Sequence, residues 1–375
     1  MTDTTQAPQI AAPSGVAETV AAIRRGSEYV VIPIFALIVS AALFSLFLLA
    51  LGKSPQQFLE LVWRGGFGTS FSWENTLTRA APLILTALAV AIPARLGLVI
   101  IGGEGALVLA GFASAVAALP FLGWASPWLV MPVMFLAAVI AGALWLGAVG
   151  ALRHYRGVNE TIASLLMFYI AVSVLNFFVE GALRDPSDPN KPSTAPIGAA
   201  NMVGPIPWLK DWLDIGVHWG LVFGIVMAVV LHILMNRTTF GFAARLTGGN
   251  VRAARAQGLP VGKLMVLATM IAGACAGMAG YFEVAAILGK ANGSLIAGYG
   301  FTGILVSFLA RHNPIVIPPV AILFGGLAAA GGIIQRRMGL PDATVLVLQG
   351  LIFVVLLVSE TLYGRFSFFD PEARK

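Results

Sequence analysis

Apolar residues in this chain fall in long runs separated by short polar segments. The runs lie near Val30–Leu51, Ala80–Pro93, Leu96–Leu119, Trp128–Leu152, Thr161–Val179, Val217–Met235, Met265–Leu288, Gly300–Leu309, Ile315–Ile334 and Thr344–Tyr363. A helix crossing a ~30 Å hydrocarbon core needs about 20 apolar residues, and most of these runs reach or approach that length. The pattern predicts an all-α, polytopic membrane protein with about ten spans. Ala80–Pro93 and Gly300–Leu309 are short for a full crossing, so they are expected to be broken or re-entrant helices of the kind that border transport pathways.

Composition agrees. With 58% hydrophobic and 11% charged residues and a mean hydropathy of +0.88, the chain has too little polar surface for a soluble globule. The net charge of +6 does not point to nucleic acid, because the bases cluster in loops beside apolar runs. The single cysteine, Cys275, sits in an apolar run and reads as a small packing residue. His154, His218, His232 and His312 lack ligand spacing, so no metal site is expected.

The bias of Lys and Arg toward the cytoplasm orients the spans. Residues 1–26 read as a disordered cytoplasmic N-terminus, followed by a transmembrane domain over 27–364 and a cytoplasmic tail over 365–375. Arg24 and Arg25 precede a first run too long for a signal peptide, which reads as a retained span with its N-terminus inside. An even count then places Arg153, His154, Arg156, Arg311 and His312 inside and leaves Arg336 and Arg337 outside, against the bias. The longest outer connection, Gly181–His218, is rich in proline and is expected to form an irregular platform, with an amphipathic piece near Trp208–Trp212 and a docking surface for a partner.

The segment from Asn236 to Lys263 carries Arg237, Arg245, Arg252, Arg255 and Lys263 and no acid. Within it, Asn250 is an N-cap, Val251–Gln257 has favourable helix propensity, and Gly258 followed by Pro260 is a stop signal. The expected element is a capped helix of about two turns, roughly 10 to 12 Å long, on a cytoplasmic loop. It reads as an element that receives force from a partner.

Polar groups inside apolar runs supply the pathway candidates. Glu104 lies in the Gly-rich stretch Gly97–Gly111, where a carboxylate costs about 2.5 to 3.5 kcal/mol unless solvated or paired. Lining a pathway and pairing, with Arg95 as the partner, are equally open readings. Asn159 reads as an N-cap and Glu160 as a carboxylate at the positive end of a helix dipole. Asn176 and Glu283 are expected to satisfy neighbouring helices. Phe168, Tyr169, Phe177, Phe178, Tyr299 and Phe301 could stack on a base or sugar, although interfacial aromatics are the commoner explanation. No nucleophile elbow and no phosphate loop of the GxxxxGK[ST] type occurs, so this chain is not expected to hydrolyse ATP. An ion-coupled secondary transporter is the alternative reading, and it requires paired intramembrane acids.

Four stretches together resemble permease subunits of ABC importers: TTFGFAARLTGGNVRAARAQGLPVGK from Thr238, GYGFTGILVSFLARHNP from Gly298, RGVNETIASLLMFYIA from Arg156 and GALRDP from Gly181. The resemblance spans about Thr78 to Glu360 and is nearest to the simple-sugar and nucleoside branch related to branched-chain amino-acid permeases, with a type II-like fold. It implies that Gly249, Asn250, Arg252, Ala253, Ala254, Arg255 and Gly258 form the helix that docks on a separate ATPase subunit, which uses ATP and Mg. It further implies a second permease subunit, identical or paralogous, and a periplasmic or lipoprotein solute-binding protein, in a bacterial inner membrane. The implied cargo is a nucleoside or related purine compound, with simple sugars next. Glu104, Asn159, Glu160, Phe168 and Asn176 are the implied pathway residues. Ile100 and Ala106 stand where many relatives carry Asn and Gln, which removes two polar side chains beside Glu104.

Overall fold

The computed structural model describes residues 15–360 apart from 189 and 342. Its α-helices are α1 (Gly15–Ala50), α2 (Pro55–Gly66), α3 (Ser70–Ala94), α4 (Gly103–Ala118), α5 (Pro127–Arg156), α6 (Glu160–Glu180), α7 (Pro207–Leu213), α8 (Gly220–Arg237), α9 (Thr239–Gly249), α10 (Val251–Ala256), α11 (Val261–Phe282), α12 (Tyr299–Leu309), α13 (Ile317–Met338) and α14 (Ala343–Glu360). Among the described residues, eight helices are long and apolar enough to cross a membrane, and two shorter apolar ones, Gly293–Leu309 and Ala343–Ser359, fall on the remaining expected runs. Helix α1 begins at Gly15, inside the stretch expected to be disordered; the first fourteen residues of that stretch, and the expected tail over 365–375, lie outside the described residues.

The chain divides into two compact units. The smaller comprises residues up to Pro55 and from Leu346 onward, and in it α1 buries Ile32, Ala36, Ser40, Phe44 and Leu48, one face at helical spacing. The larger, Gln56–Val345, holds every candidate site residue. Its interior is built from α3, α4 and α11, whose membrane-length segments are 78, 61 and 72% buried, whereas the corresponding segments of α5, α6 and α8 are 28 to 33% buried. Helix α11 packs on α5, α3 and α4, and α3 also on α12, α13 and α8.

Small residues make the tightest of these contacts possible. A Cβ added to Gly142 of α5 would lie 2.3 Å from the Gly273 carbonyl oxygen of α11, and one added to Gly273 would lie 2.0 Å from the Gly142 oxygen. Gly277 meets the Ala138 oxygen one turn further along. In lipid, where burial of apolar surface gives helices little reason to associate, such close backbone approach supplies the packing.

Two expected spans differ from their sequence-based bounds. Ala80–Pro93 is not a short helix: α3 extends ten residues further toward its N-terminus, to Ser70. The polar residues of that extension are satisfied by the fold, Glu74 accepting from the Gly216 amide at 2.9 Å and Thr76 donating to the Gly66 carbonyl at 2.6 Å. Leu96–Leu119 is not one helix. Leu96–Gly102 is non-helical, and α4 starts only at Gly103. The Ile101 amide donates to Ser164 Oγ at 3.1 Å and the Val99 carbonyl accepts from Thr161 Oγ1 at 2.9 Å. Irregular backbone at membrane depth is tolerated where protein satisfies it in this way. The expectation that Gly300–Leu309 is short holds, since α12 has 11 residues, about 16 Å of rise.

Candidate functional site

Helices α4 and α12 begin beside each other. Glu104, in the first turn of α4, is fully buried; its Oε1 accepts from the Gly298 amide at 2.6 Å and its Oε2 from the Gly300 amide at 2.5 Å. Gly298 reaches that position with φ +80°, a conformation glycine adopts without strain. A carboxylate on the free amides of a helix N-terminus answers both their orphaned donors and the positive end of the dipole. The pairing reading of Glu104 thus finds a partner, but not Arg95: the Arg95 Nη2 donates to the His312 carbonyl at 3.1 Å.

Around this junction the chain gathers part of the candidate set. Gly105 lies against the backbone of Phe168, whose ring meets Phe301 edge to face at 5.2 Å. Thr86 donates to the Tyr299 carbonyl at 3.0 Å. Glu283 is 4% exposed, and its Oε1 has no hydrogen-bond partner among the described residues. Its nearest opposite charge is Arg79, whose side chain also reaches Tyr299. Glu283 opens a π-helical turn, Glu283–Leu288, a feature that sequence periodicity did not reveal and that recurs at functional positions.

The other candidates lie apart. Asn159 caps α6, its Oδ1 accepting from the Thr161 and Ile162 amides at 2.9 and 3.1 Å. Glu160 pairs with Arg153 at 3.2 Å and ties the start of α6 to the end of α5. Asn176 lies two turns beyond Phe168, in a shallow cleft with Glu180, Lys191 and Ser294. Of the pathway set, Glu104 and Phe168 meet at the junction of α4 and α12, Asn159 and Glu160 lie together at the start of α6, and Asn176 stands apart. The aromatic pair Phe177 and Phe178 packs edge to face, and Phe178 stacks on Phe112 of α4 at 5.5 Å.

At one end of the unit sits the expected capped helix. Asn250 Oδ1 accepts from the Arg252 and Ala253 amides at 2.9 and 3.1 Å, α10 follows, and Gly258 closes it with φ +77°. Arg252, Ala253 and Arg255 are exposed. Ala254 is not: it is 2% exposed and faces the angle in which α10 packs on α9 and α11. Its small side chain seats α10 rather than lining the outer surface. Helix α9, not foreseen, sits against the turn after α3, where a Cβ on Gly248 would lie 2.3 Å from the Arg95 carbonyl oxygen. The Gly248-Gly249 pair was the available signal for that approach. The same end carries Arg245, whose charge lowers the pKa of Arg95 after burial does, and His312, whose pKa falls to about 4 through burial first and then Arg95 and Arg311.

The opposite end carries the expected platform. Backbone amides of residues 194, 197 and 203 donate to the carbonyls of Ala291, Gly289 and Ala285, and Lys290 pairs with Asp188 at 3.1 Å. Helix α7 forms on the expected Trp208–Trp212 piece and exposes both tryptophans.

A bundle of membrane-length helices, with the starts of α4 and α12 meeting inside it and a capped helix on a basic end, defines a polytopic membrane permease. The chain belongs to the branched-chain amino acid transport system permease component family, which it matches over residues 72–357. It is 30% identical to a glucose ABC transporter permease protein of Haloferax volcanii over 88% of this chain and 87% of that one. It is also 30% identical to a guanosine ABC transporter permease protein of Bacillus subtilis, over 90% of this chain and 95% of the relative. A nucleoside ABC transporter permease protein of Lactococcus lactis is 27% identical, over 88% and 91%. The chain is therefore a permease subunit of an ABC transporter and works with an ATPase partner.

Proposed function

We propose that this subunit imports nucleosides or related purine compounds, with simple sugars as the next class, and that α10 is where ATP-driven force enters. The observation that carries the proposal is α10 itself: a side-chain-capped helix with Arg252, Ala253 and Arg255 outward and Ala254 inward, seated between α9 and α11. Exposed arginines on a rigid two-turn element suit docking in a groove of another subunit, and its contact with α11 leads to the most enclosed helices. The guanosine, nucleoside and glucose permeases among the relatives support the solute class.

In this reading the α10 end faces the cytoplasm, as do both termini, in a bacterial inner membrane. The platform between α6 and α8 receives a solute-binding protein, and a second permease subunit, identical or paralogous, completes the pathway. Glu104 fixes the start of α12 at the pathway's mid-depth, with Phe168 beside it. ATP and Mg are used by the ATPase subunit.

Co-expression with a cognate ABC ATPase subunit, followed by affinity purification in detergent, tests the assembly: a stoichiometric complex is expected, and recovery of the permease alone would overturn it. For the solute, the cognate binding protein is melted against nucleosides, bases and sugars. A true ligand stabilises it in proportion to RT ln(1 + [L]/Kd), so purine nucleosides should give the largest shifts.

A further inference from the structure

Arg336 and Arg337 stand against the bias that orients the other basic loops, and the fold gives Arg336 a setting. Helix α13 runs antiparallel to α3, Gly325 lying against Thr76 and Ala80, while Gly65 of α2 meets Ala330 and Ile333. The last turn of α13 therefore lies at the end opposite Arg95. There Arg336 enters an open groove between α2, α3 and α13 of about 410 Å³, with Arg64, Arg79, Thr69, Ser72 and Asn75 along it. No carboxylate is among its lining residues, and no ion pair to Arg64 or Arg336 occurs among the described residues. Arg64 and Arg336 present exposed guanidiniums to this space, while the Thr69 and Ser72 hydroxyls bond each other, Ser72 and Asn75 donate to the Arg64 and Phe71 carbonyls, and Arg79 reaches Tyr299.

The guanidinium fork matches the oxygens of a phosphate in a way a single ammonium does not. The surroundings indicate where that phosphate comes from. Helix α2 buries Phe58 and Leu61 but exposes Leu59 and Trp63, and Phe71 at the start of α3 is 73% exposed. Trp63, Phe67 and Trp73 form a chain of ring contacts at 5.8 and 5.3 Å beside the groove. An amphipathic helix with exposed aromatics at the ends of membrane spans lies at headgroup level. The geometry points to a site for the phosphodiester headgroup of an anionic membrane lipid, held by Arg64 and Arg336. This assignment stands apart from the coupling helix and the transported solute.

The test uses the assembled transporter, delipidated in mild detergent and titrated separately with short-chain phosphatidylglycerol, phosphatidylcholine of the same chain length, and inorganic phosphate. Thermal stabilisation and native mass spectrometry report binding. Phosphatidylglycerol should bind and stabilise, and the other two should do neither at matched concentration. Each arginine replaced in Arg64→Gln and Arg336→Gln should weaken phosphatidylglycerol binding about fivefold, the scale of one basic side chain at an anionic membrane surface. Arg336→Lys should retain part of the binding. If Arg64→Gln does not assemble, Arg336→Gln alone, at an exposed position, carries the test. Unchanged phosphatidylglycerol affinity in the variants would overturn the site, and equal stabilisation by inorganic phosphate would overturn its assignment to lipid. Loss of binding-protein docking in the same variants, with lipid affinity intact, would overturn it in favour of a protein contact.

Discussion

The Oε2 of Glu104 accepts the Gly300 amide at 2.5 Å, and this contact ties the first turn of α4 to the first turn of α12. Helix α12, with 11 residues, is too short to cross the membrane, and its first amides are satisfied by α4.

Glu104→Gln keeps the volume but presents an NH2 group to one of the two amides, and Glu104→Ala orphans both. Leaving a buried amide unsatisfied costs about 1–3 kcal/mol, more when a charged acceptor is lost. Melting of the purified subunit should therefore fall in the order wild type, Glu104→Gln, Glu104→Ala, with solute-stimulated ATP hydrolysis lost in the last. Wild-type melting and transport in Glu104→Ala would remove Glu104 from this role.

Gly258 closes α10 in the left-handed region with open space around it, so Gly258→Val introduces backbone strain rather than a clash. A strain of about 1–2 kcal/mol should loosen α10 without touching the membrane interior. Membrane insertion should be normal and ATPase association reduced. Arg255→Glu, at an exposed position, should weaken association while leaving the melting temperature alone. Ala254→Leu should instead lower both, because Ala254 is buried within the subunit.

Gly273→Leu would push a side chain into the Gly142 carbonyl, where backbone cannot yield. Overpacking of this kind costs about 1–3 kcal/mol or more, and α5 should separate from α11. Melting of the purified subunit should fall by several degrees in Gly273→Leu, and wild-type melting would refute the contact.

His218 is 5% exposed, accepts the Gly220 amide on Nδ1 at 3.1 Å and stacks on Phe282. Burial lowers its pKa from 6.5 to about 4, with the Thr78 carbonyl opposing. Between those values the unfolded chain binds a proton that the folded chain refuses. The stability is therefore complete above about pH 6.5 and declines as pH falls toward about 4, by on the order of 3 kcal/mol. His312 adds in the same direction. A melting series over that range should show the decline, and His218→Gln should flatten its share; an unaltered slope would refute the assignment.

Local signals were legible where one residue's chemistry suffices. Asn250 and Asn159 read as caps because their side chains answer amides two and three positions on, and Gly258 as a stop. The shortness of α12 was likewise visible in its apolar length. The first turns of α3 were hidden because Glu74 and Arg79 look like loop residues until partners distant in sequence satisfy them. The non-helical Leu96–Gly102 was hidden for the same reason, since its acceptors and donors belong to Ser164 and Thr161. The inward turn of Ala254 was hidden because propensity fixes that a helix forms and not which side faces the protein.

The wide turn at Glu283–Leu288 closes through the Gly289 amide onto the Val284 carbonyl, while the Ala285 carbonyl is taken by the Val203 amide at 2.7 Å. The platform therefore occupies an acceptor that a tighter turn would claim. Lifting it frees that acceptor, and rewinding from a five-residue to a four-residue closure rotates everything downstream by about 100°, one helical position. Lys290, Ala291 and the approach to α12 lie downstream. The register of the helix end therefore rests on one backbone bond contributed by the connection between α6 and α8.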